Sequence, residues 1–142
     1  MTFRSILCPV DFSDHSRQAL RWAAALAVRY HSRLTVLTAV DPLLSQAART
    51  RFSLELSRET EPELNQFVTD TLPGRGSWLP VVGLDVRVGH GPEVILEAAD
   101  REGADLIVLG THGLGGFRKL LLGSTTERVL RRARTPLLAV PV

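Results

Sequence analysis

The sequence predicts an α/β protein: a single doubly wound five-stranded parallel sheet with helices on both faces. Three observations carry this reading. Strand-like apolar runs alternate with amphipathic helix-like segments along the chain. The run ADLIVL, Ala104 to Leu109, is apolar at nearly every position, which suits a strand buried on both sides. The chain has 142 residues, a length that suits one domain, 1–142, with a full core.

The elements follow in order. Phe3 to Val10 is a strand-like run closed by Pro9, Val10 and Asp11. Ser13 to Tyr30 reads as a helix, with Ser13 as N-cap and Asp14 at the positive end of the dipole. Ala19, Trp22, Ala23, Leu26, Ala27 and Tyr30 recur at helical spacing. Leu34 to Val40 is a second strand, ended by Asp41-Pro42. The region 42–80 is the least legible. Residues 44–60 have helical propensity, Pro62 limits that helix, and TEPE (Thr60 to Glu63) resembles a capping box opening a second piece. Leu64, Phe67, Val68 and Leu72 would share one face of that piece, and Pro73 to Ser77 reads as a turn-rich loop.

Val81 to Val88 is a third strand. Gly91 to Gly103 is punctuated as a helix by Pro92 near its start, Glu93 in its first turn and Gly103 at its stop. Ala104 to Leu109 is the fourth strand, residues 124–133 the last helix, and Pro136 to Val142 the fifth strand.

Composition excludes several classes of function. No apolar run approaches the ~20 residues that span a bilayer, and the start of the chain lacks a long apolar signal segment. This points to the cytoplasm. The single Cys8 rules out an internal disulfide and a cysteine-based metal cluster; set in an apolar run, it reads as a packing residue. Net charge is +2, and much basic character sits late, in Arg118, Lys119, Arg128, Arg131, Arg132 and Arg134. Nucleic-acid binding would ask for aromatic residues or a recognition motif beside these charges. With neither present, they read as a solvated helix face.

In open α/β sheets ligands bind beyond the carboxyl ends of the strands. Asp11 and Asp41 follow the first two strands, and GTHGLGGFRKLLLGS (Gly110 to Ser124) follows the fourth. Glycines let backbone N–H groups converge on an anion, and Gly123-Ser124 opens a helix whose first N–H groups favour phosphate. Ser124 and Thr125 add hydroxyl donors. The loop is neither a Walker A sequence nor a dinucleotide fingerprint. Glycine content alone leaves a surface loop and a phosphate cradle equally open. Asp11 reads either as a ligand or as a cap on the Phe12-Ser13 turn. His112 reads as a loop residue near a ligand rather than a catalytic base, because no second His or carboxylate sits at a spacing that orients it. His15, His31 and His90 are scattered without metal-ligand spacing.

Gly110-x2-Gly113-x9-Gly123-Ser124 resembles the nucleotide-binding pattern of the universal stress protein family. ILCPVD (Ile6 to Asp11), GHGPEVI (Gly89 to Ile95), ADLIVLGTHG (Ala104 to Gly113) and TPLLAVPV (Thr135 to Val142) are similar to further blocks of that family. The resemblance covers the chain outside 42–80 and points to the ATP-binding branch. It implies a Rossmann-like fold, of the adenine nucleotide alpha hydrolase type, with strand order 3-2-1-4-5. It further implies that Pro9, Val10 and Asp11 line the adenosine end, with Ala39 beside adenine. Gly110, Thr111, His112 and Gly113 would border ribose and phosphates, and Gly123, Ser124, Thr125 and Thr126 would hold the phosphates. ATP is the implied ligand, with Mg or Mn as its companion and Asp11 as the candidate metal partner. A homodimer through strand 136–142 is implied as well. The function expected is nucleotide-dependent regulation in stress responses; a slow ATPase and a non-catalytic oligomerising module are the alternatives.

Overall fold

The computed structural model describes residues 1–41, 50–78, 82–113 and 122–142, with the backbone alone over 50–56. The order is β1 (Ser5–Pro9), α1 (Asp14–Tyr30), β2 (Arg33–Val40), α2 (Thr50–Thr71), α3 (Arg75–Trp78), β3 (Val82–Val88), α4 (Gly91–Glu102), β4 (Leu106–Gly110), α5 (Ser124–Arg132) and β5 (Leu137–Val140). The strands form one sheet in the order β3-β2-β1-β4-β5, all parallel. The expected fold class and strand order are those observed. The expected helix over 44–49 and the loop residues 114–121, Arg118 and Lys119 among them, lie outside the described residues.

Strand alternation divides the apolar side chains between two layers. Ile6, Cys8, Leu34, Val36, Leu106 and Val108 face α1 and α2. Leu7, Leu37, Ile107 and Leu109 face α4 and α5. Cys8 is fully buried, and burial pushes its thiol pKa well above the ordinary cysteine value. A thiol held neutral in this way packs and does not react.

The helices begin and end as their sequences dictate. Ser13 Oγ accepts from Ser16 N–H at the start of α1. Gly103 ends α4 at φ 60°, a left-handed conformation that glycine adopts without a Cβ penalty. The buried stripe of α1 is Ser16, Ala19, Leu20, Ala23, Ala24 and Ala27, narrower than the expected face. Trp22 is 55% exposed, because the alanines draw the helix close to the sheet and leave no depth for an indole. Tyr30 is also exposed and packs edge-on against Phe3, with centroids 5.2 Å apart.

The region after β2 corrects two expectations. Residues 50–71 form one continuous helix that runs through Pro62, not two pieces divided there. The proline removes one N–H, which leaves the Arg58 carbonyl without its helical donor, a cost of about 3 kcal/mol in a helix interior. Both residues are exposed, so water can reach the freed carbonyl. Leu64, Phe67, Val68 and Leu72 are buried on the opposite side, and each contributes about 1.5–3 kcal/mol. Their sum exceeds the proline penalty, so the helix continues. Within the expected loop 73–77, Arg75–Trp78 folds as a single helical turn, with Trp78 Nε1 donating to the Pro73 carbonyl at 3.1 Å.

Replacing Pro62 with alanine restores the missing donor on an exposed face. Pro62→Ala is expected to raise unfolding stability by about 1–3 kcal/mol in urea denaturation. A loss of stability would mean that the proline is needed to shape α2.

Candidate functional site

The chain winds outward from β1 through β2 to β3, then returns to β4 and β5 on the other side. The order therefore reverses between β1 and β4, and the crevice in which open α/β sheets bind ligands lies beyond the carboxyl ends of these two strands. Four segments converge on it: residues 9–13 after β1, Ala39–Asp41 at the end of β2, Gly110–Gly113 after β4, and Gly123–Thr126 at the start of α5.

The backbones approach one another without intervening side chains. A Cβ built on Gly110 would lie 2.8–2.9 Å from backbone and Cβ atoms of His15 in the first turn of α1. A Cβ on Gly113 would collide with Asp11 Oδ2. Glycine is required at 110 by backbone, which cannot move aside, whereas at 113 the obstacle is a carboxylate, which can.

The β1 loop is built around Asp11. Asp11 Oδ1 accepts from Ser13 N–H at 3.1 Å and from Ser13 Oγ–H at 2.5 Å. Asp11 N–H donates to Ser16 Oγ at 3.3 Å. The turn-capping reading of Asp11 is therefore correct for Oδ1, while Oδ2 looks towards Gly113. Between them Phe12 takes φ 65°, a left-handed conformation that is costly for a bulky residue. Its ring is held edge-on to Phe67 with centroids 5.4 Å apart. Arg17 lies 4.5 Å above the Phe67 ring.

The start of α5 is pinned to the end of β4. Gly123 N–H donates to the Thr111 carbonyl at 2.6 Å, and Thr111 N–H donates to the Val140 carbonyl at 3.1 Å. Thr126 is buried, and its hydroxyl donates to the Gly110 carbonyl at 2.7 Å. That hydroxyl holds the loop in place, whereas Ser124 and Thr125 are exposed. Gly123 is the N-cap of α5 and supplies no side-chain cap. An uncapped helix start presents N–H groups and the positive end of the dipole together.

At the ends of β1 and β2, Val10 is buried, and Pro9 and Ala39 are half-buried. Val10 N–H donates to the Leu37 carbonyl at 2.8 Å, and Thr38 Oγ1 donates to the Val10 carbonyl at 2.9 Å. Beyond them His90 Nδ1 lies 3.3 Å from Asp41 Oδ2, and its Nε2 lies 2.9 Å from an Arg128 guanidinium nitrogen. Arg132 donates to Glu93 Oε1 at 2.7 Å and holds the Glu93 carboxyl below its ordinary pKa. The stability this pairing adds is present above the ordinary glutamate range and is lost as pH falls through the lowered value. Arg131 pairs with Glu127. Arg128, Arg131 and Arg132 thus all have partners on the protein.

The structure also supplies a residue that sequence reasoning missed. His15 and His112 meet with ring centroids 5.2 Å apart, so His112 does have a second histidine beside it. Spacing alone could not reveal a contact made across the fold, between α1 and the loop after β4. Among the described residues, no group of three or more His, Cys, Asp or Glu side chains is placed to hold a metal, and no helix is long and apolar enough to cross a membrane.

Comparison with known proteins bears on this geometry. A model of the universal stress protein family matches residues 2–141. The chain belongs to the universal stress protein family. Among universal stress proteins, one from Thermus aquaticus is 35% identical over 138 residues, covering 97% of this chain and 98% of the relative. MJ0577 of Methanocaldococcus jannaschii is 28% identical, covering 97% of this chain and 94% of its own length. Its solved structure covers 100% of this chain and 98% of its own, with TM-score 0.86 at 25% identity. A universal stress protein solved in complex with cAMP has TM-score 0.68 at 26% identity, covering 99% of this chain and 98% of its own.

The two close glycines should respond differently to a methyl group. Gly110→Ala is expected to destabilise the fold by about 1–3 kcal/mol, because backbone must move. Gly113→Ala should cost less, because Asp11 can rotate away. Equal losses in urea denaturation would contradict this difference.

Proposed function

We propose that this universal stress protein binds an adenine nucleotide, ATP, in the crevice between β1 and β4, and acts as a cytoplasmic nucleotide-dependent regulator in stress responses. The observation that carries the reading is the uncapped start of α5, pinned beside the bare backbone of Gly110–Gly113. Phosphate is the ligand that such N–H groups and the helix dipole favour. The relative in complex with cAMP supports an adenine nucleotide as the class.

In this reading Pro9, Val10 and Ala39 form the apolar wall for adenine, and Asp11 faces the sugar side. Gly110, Thr111, His112 and Gly113 border ribose and phosphates, and the N–H groups at Gly123, Ser124 and Thr125 take the phosphates. Thr126 acts from behind by holding Gly110. A Mg or Mn ion would arrive with the phosphates, with Asp11 as its protein partner, and would supply charge neutralisation. Regulation follows if ATP binds one conformation or assembly more tightly than another.

The same reading pairs two copies along β5. That strand has a neighbour on one side only among the described residues, and an unpaired strand edge is a template for a second strand. Light scattering is expected to give twice the chain mass. Val140 is 3% exposed, so a charge there would disrupt the core as well as any subunit contact.

Helix stability and phosphate affinity can be separated at Ser124. A negative charge in the first turn favours the helix dipole by about 0.3–1 kcal/mol, yet repels a phosphate at the same N–H groups. Ser124→Glu is expected to keep or slightly raise the melting temperature while weakening ATP binding more than about tenfold in calorimetry. Absence of ATP binding by the unaltered chain would overturn the reading. ATP turnover lost on Asp11→Ala at unchanged affinity would replace it with an enzymatic one.

A further inference from the structure

Phe12 holds φ 65°, a left-handed conformation that is costly for a bulky side chain. The hydrogen bonds of the turn are made by its neighbours. Asp11 Oδ1 accepts from Ser13 N–H at 3.1 Å and from the Ser13 hydroxyl, and Asp11 N–H donates to Ser16 Oγ at 3.3 Å. Phe12 links that acceptor to that donor, so its backbone angle sets where the Asp11 carboxylate stands. The carboxylate lies against Gly113, where a Cβ would collide with Oδ2.

The partner of the Phe12 ring belongs to another element. Phe67, buried in the C-terminal half of α2, meets it with centroids 5.4 Å apart and planes at 74°. Phe67 is itself held from two directions. The Arg17 guanidinium lies 4.5 Å from its ring centroid, and Arg17 Nη1 donates to Thr71 Oγ1 at 2.6 Å. The Thr71 hydroxyl donates in turn to the Phe67 carbonyl at 2.7 Å. With β1 fixed in the sheet, returning Phe12 to an ordinary φ would turn its Cβ about the N–Cα bond by more than ~100° and carry the ring off Phe67. An edge-on aromatic pair gains energy beyond its buried area. A contact made only in the left-handed turn therefore favours that turn.

We propose that Phe67 is a positioning residue for the nucleotide crevice: its ring holds Phe12 in the left-handed turn, and the turn holds Asp11 against Gly113. This rests on the nucleotide reading above and adds α2 to it as a regulatory element. A binding-competent loop that is only partly populated lowers apparent affinity by the populated fraction. Any shift of α2 that loosens the ring contact thus weakens ATP binding, and by reciprocity ATP favours the docked helix.

The test is a double-mutant cycle read by calorimetric titration of ATP into the full chain. Phe67→Leu keeps an apolar side chain in the core and removes the ring; it is expected to weaken ATP binding about three- to tenfold. The Phe12→Gly chain adopts the left-handed turn without a Cβ penalty, so in that background Phe67→Leu should change affinity by less than about twofold. Equal losses in the two backgrounds, or unchanged affinity in Phe67→Leu, would overturn the proposal. Loss of ATP binding by Phe12→Gly alone would show that the ring is needed and not the turn, and would overturn it as well. Amide shifts of the unliganded 15N-labelled protein give a readout independent of ATP. Phe67→Leu is expected to displace the Gly113 signal, and an unmoved signal would contradict the coupling. No ATP binding by the unaltered chain sinks the nucleotide reading, and the Gly113 signal then still decides whether Phe67 sets the turn.

Discussion

The crevice depends on one contact: the backbone of Gly110, at the end of β4, lies against the backbone of His15 with no side chain between them. A sheet strand and a helix normally keep their side chains as spacers, and removing one brings the two chain segments within van der Waals reach. From that approach the rest of the site is assembled. The Gly110 carbonyl accepts from buried Thr126, and Gly123 N–H closes back on Thr111. These two bonds set the start of α5 beside the end of β4, across the crevice from Asp11. A single methyl at position 110 would strain all three.

A second constraint lies on the β1 side. Phe12 accepts an unfavourable backbone conformation, and the contact of its ring with Phe67 in α2 offsets that strain. The turn lets one carboxylate serve two directions, with Oδ1 fixing the entry to α1 and Oδ2 facing Gly113. Having glycine in place of a side-chain cap on α5 forgoes only about a few tenths of a kcal/mol of helix stability and leaves its first N–H groups without a side-chain acceptor. Stability is supplied by the two apolar layers, which is why the crevice can tolerate a strained turn and a bare helix start.

Much of this was legible in the sequence because periodicity reports burial directly. The unbroken LIVL of β4, the Pro92 and Gly103 boundaries of α4 and the Ser13 cap of α1 are local signals with local causes. The strand order was legible only through the family resemblance carried by Gly110, Gly113 and Gly123-Ser124, and the proposed site residues come from the same source. What stayed hidden was set by tertiary balance. Whether α2 passes Pro62 depends on how much apolar surface lies beyond it. Whether Trp22 faces the core depends on how closely the alanines of α1 approach the sheet. That the Thr126 hydroxyl donates to the Gly110 carbonyl has no sign in the sequence, and His15 has no feature in sequence that marks it as a neighbour of His112.

The central claim is that backbone N–H groups at the start of α5 and after β4 receive phosphate. Amide chemical shifts of the 15N-labelled protein, followed during titration with ATP and with adenosine, test it most directly. The account predicts large, saturable shifts at Gly113, Gly123, Ser124 and Thr125 with ATP, and much smaller shifts at those amides with adenosine. Shifts at these amides of equal size with both ligands, or ATP shifts confined to other regions of the protein, would contradict it.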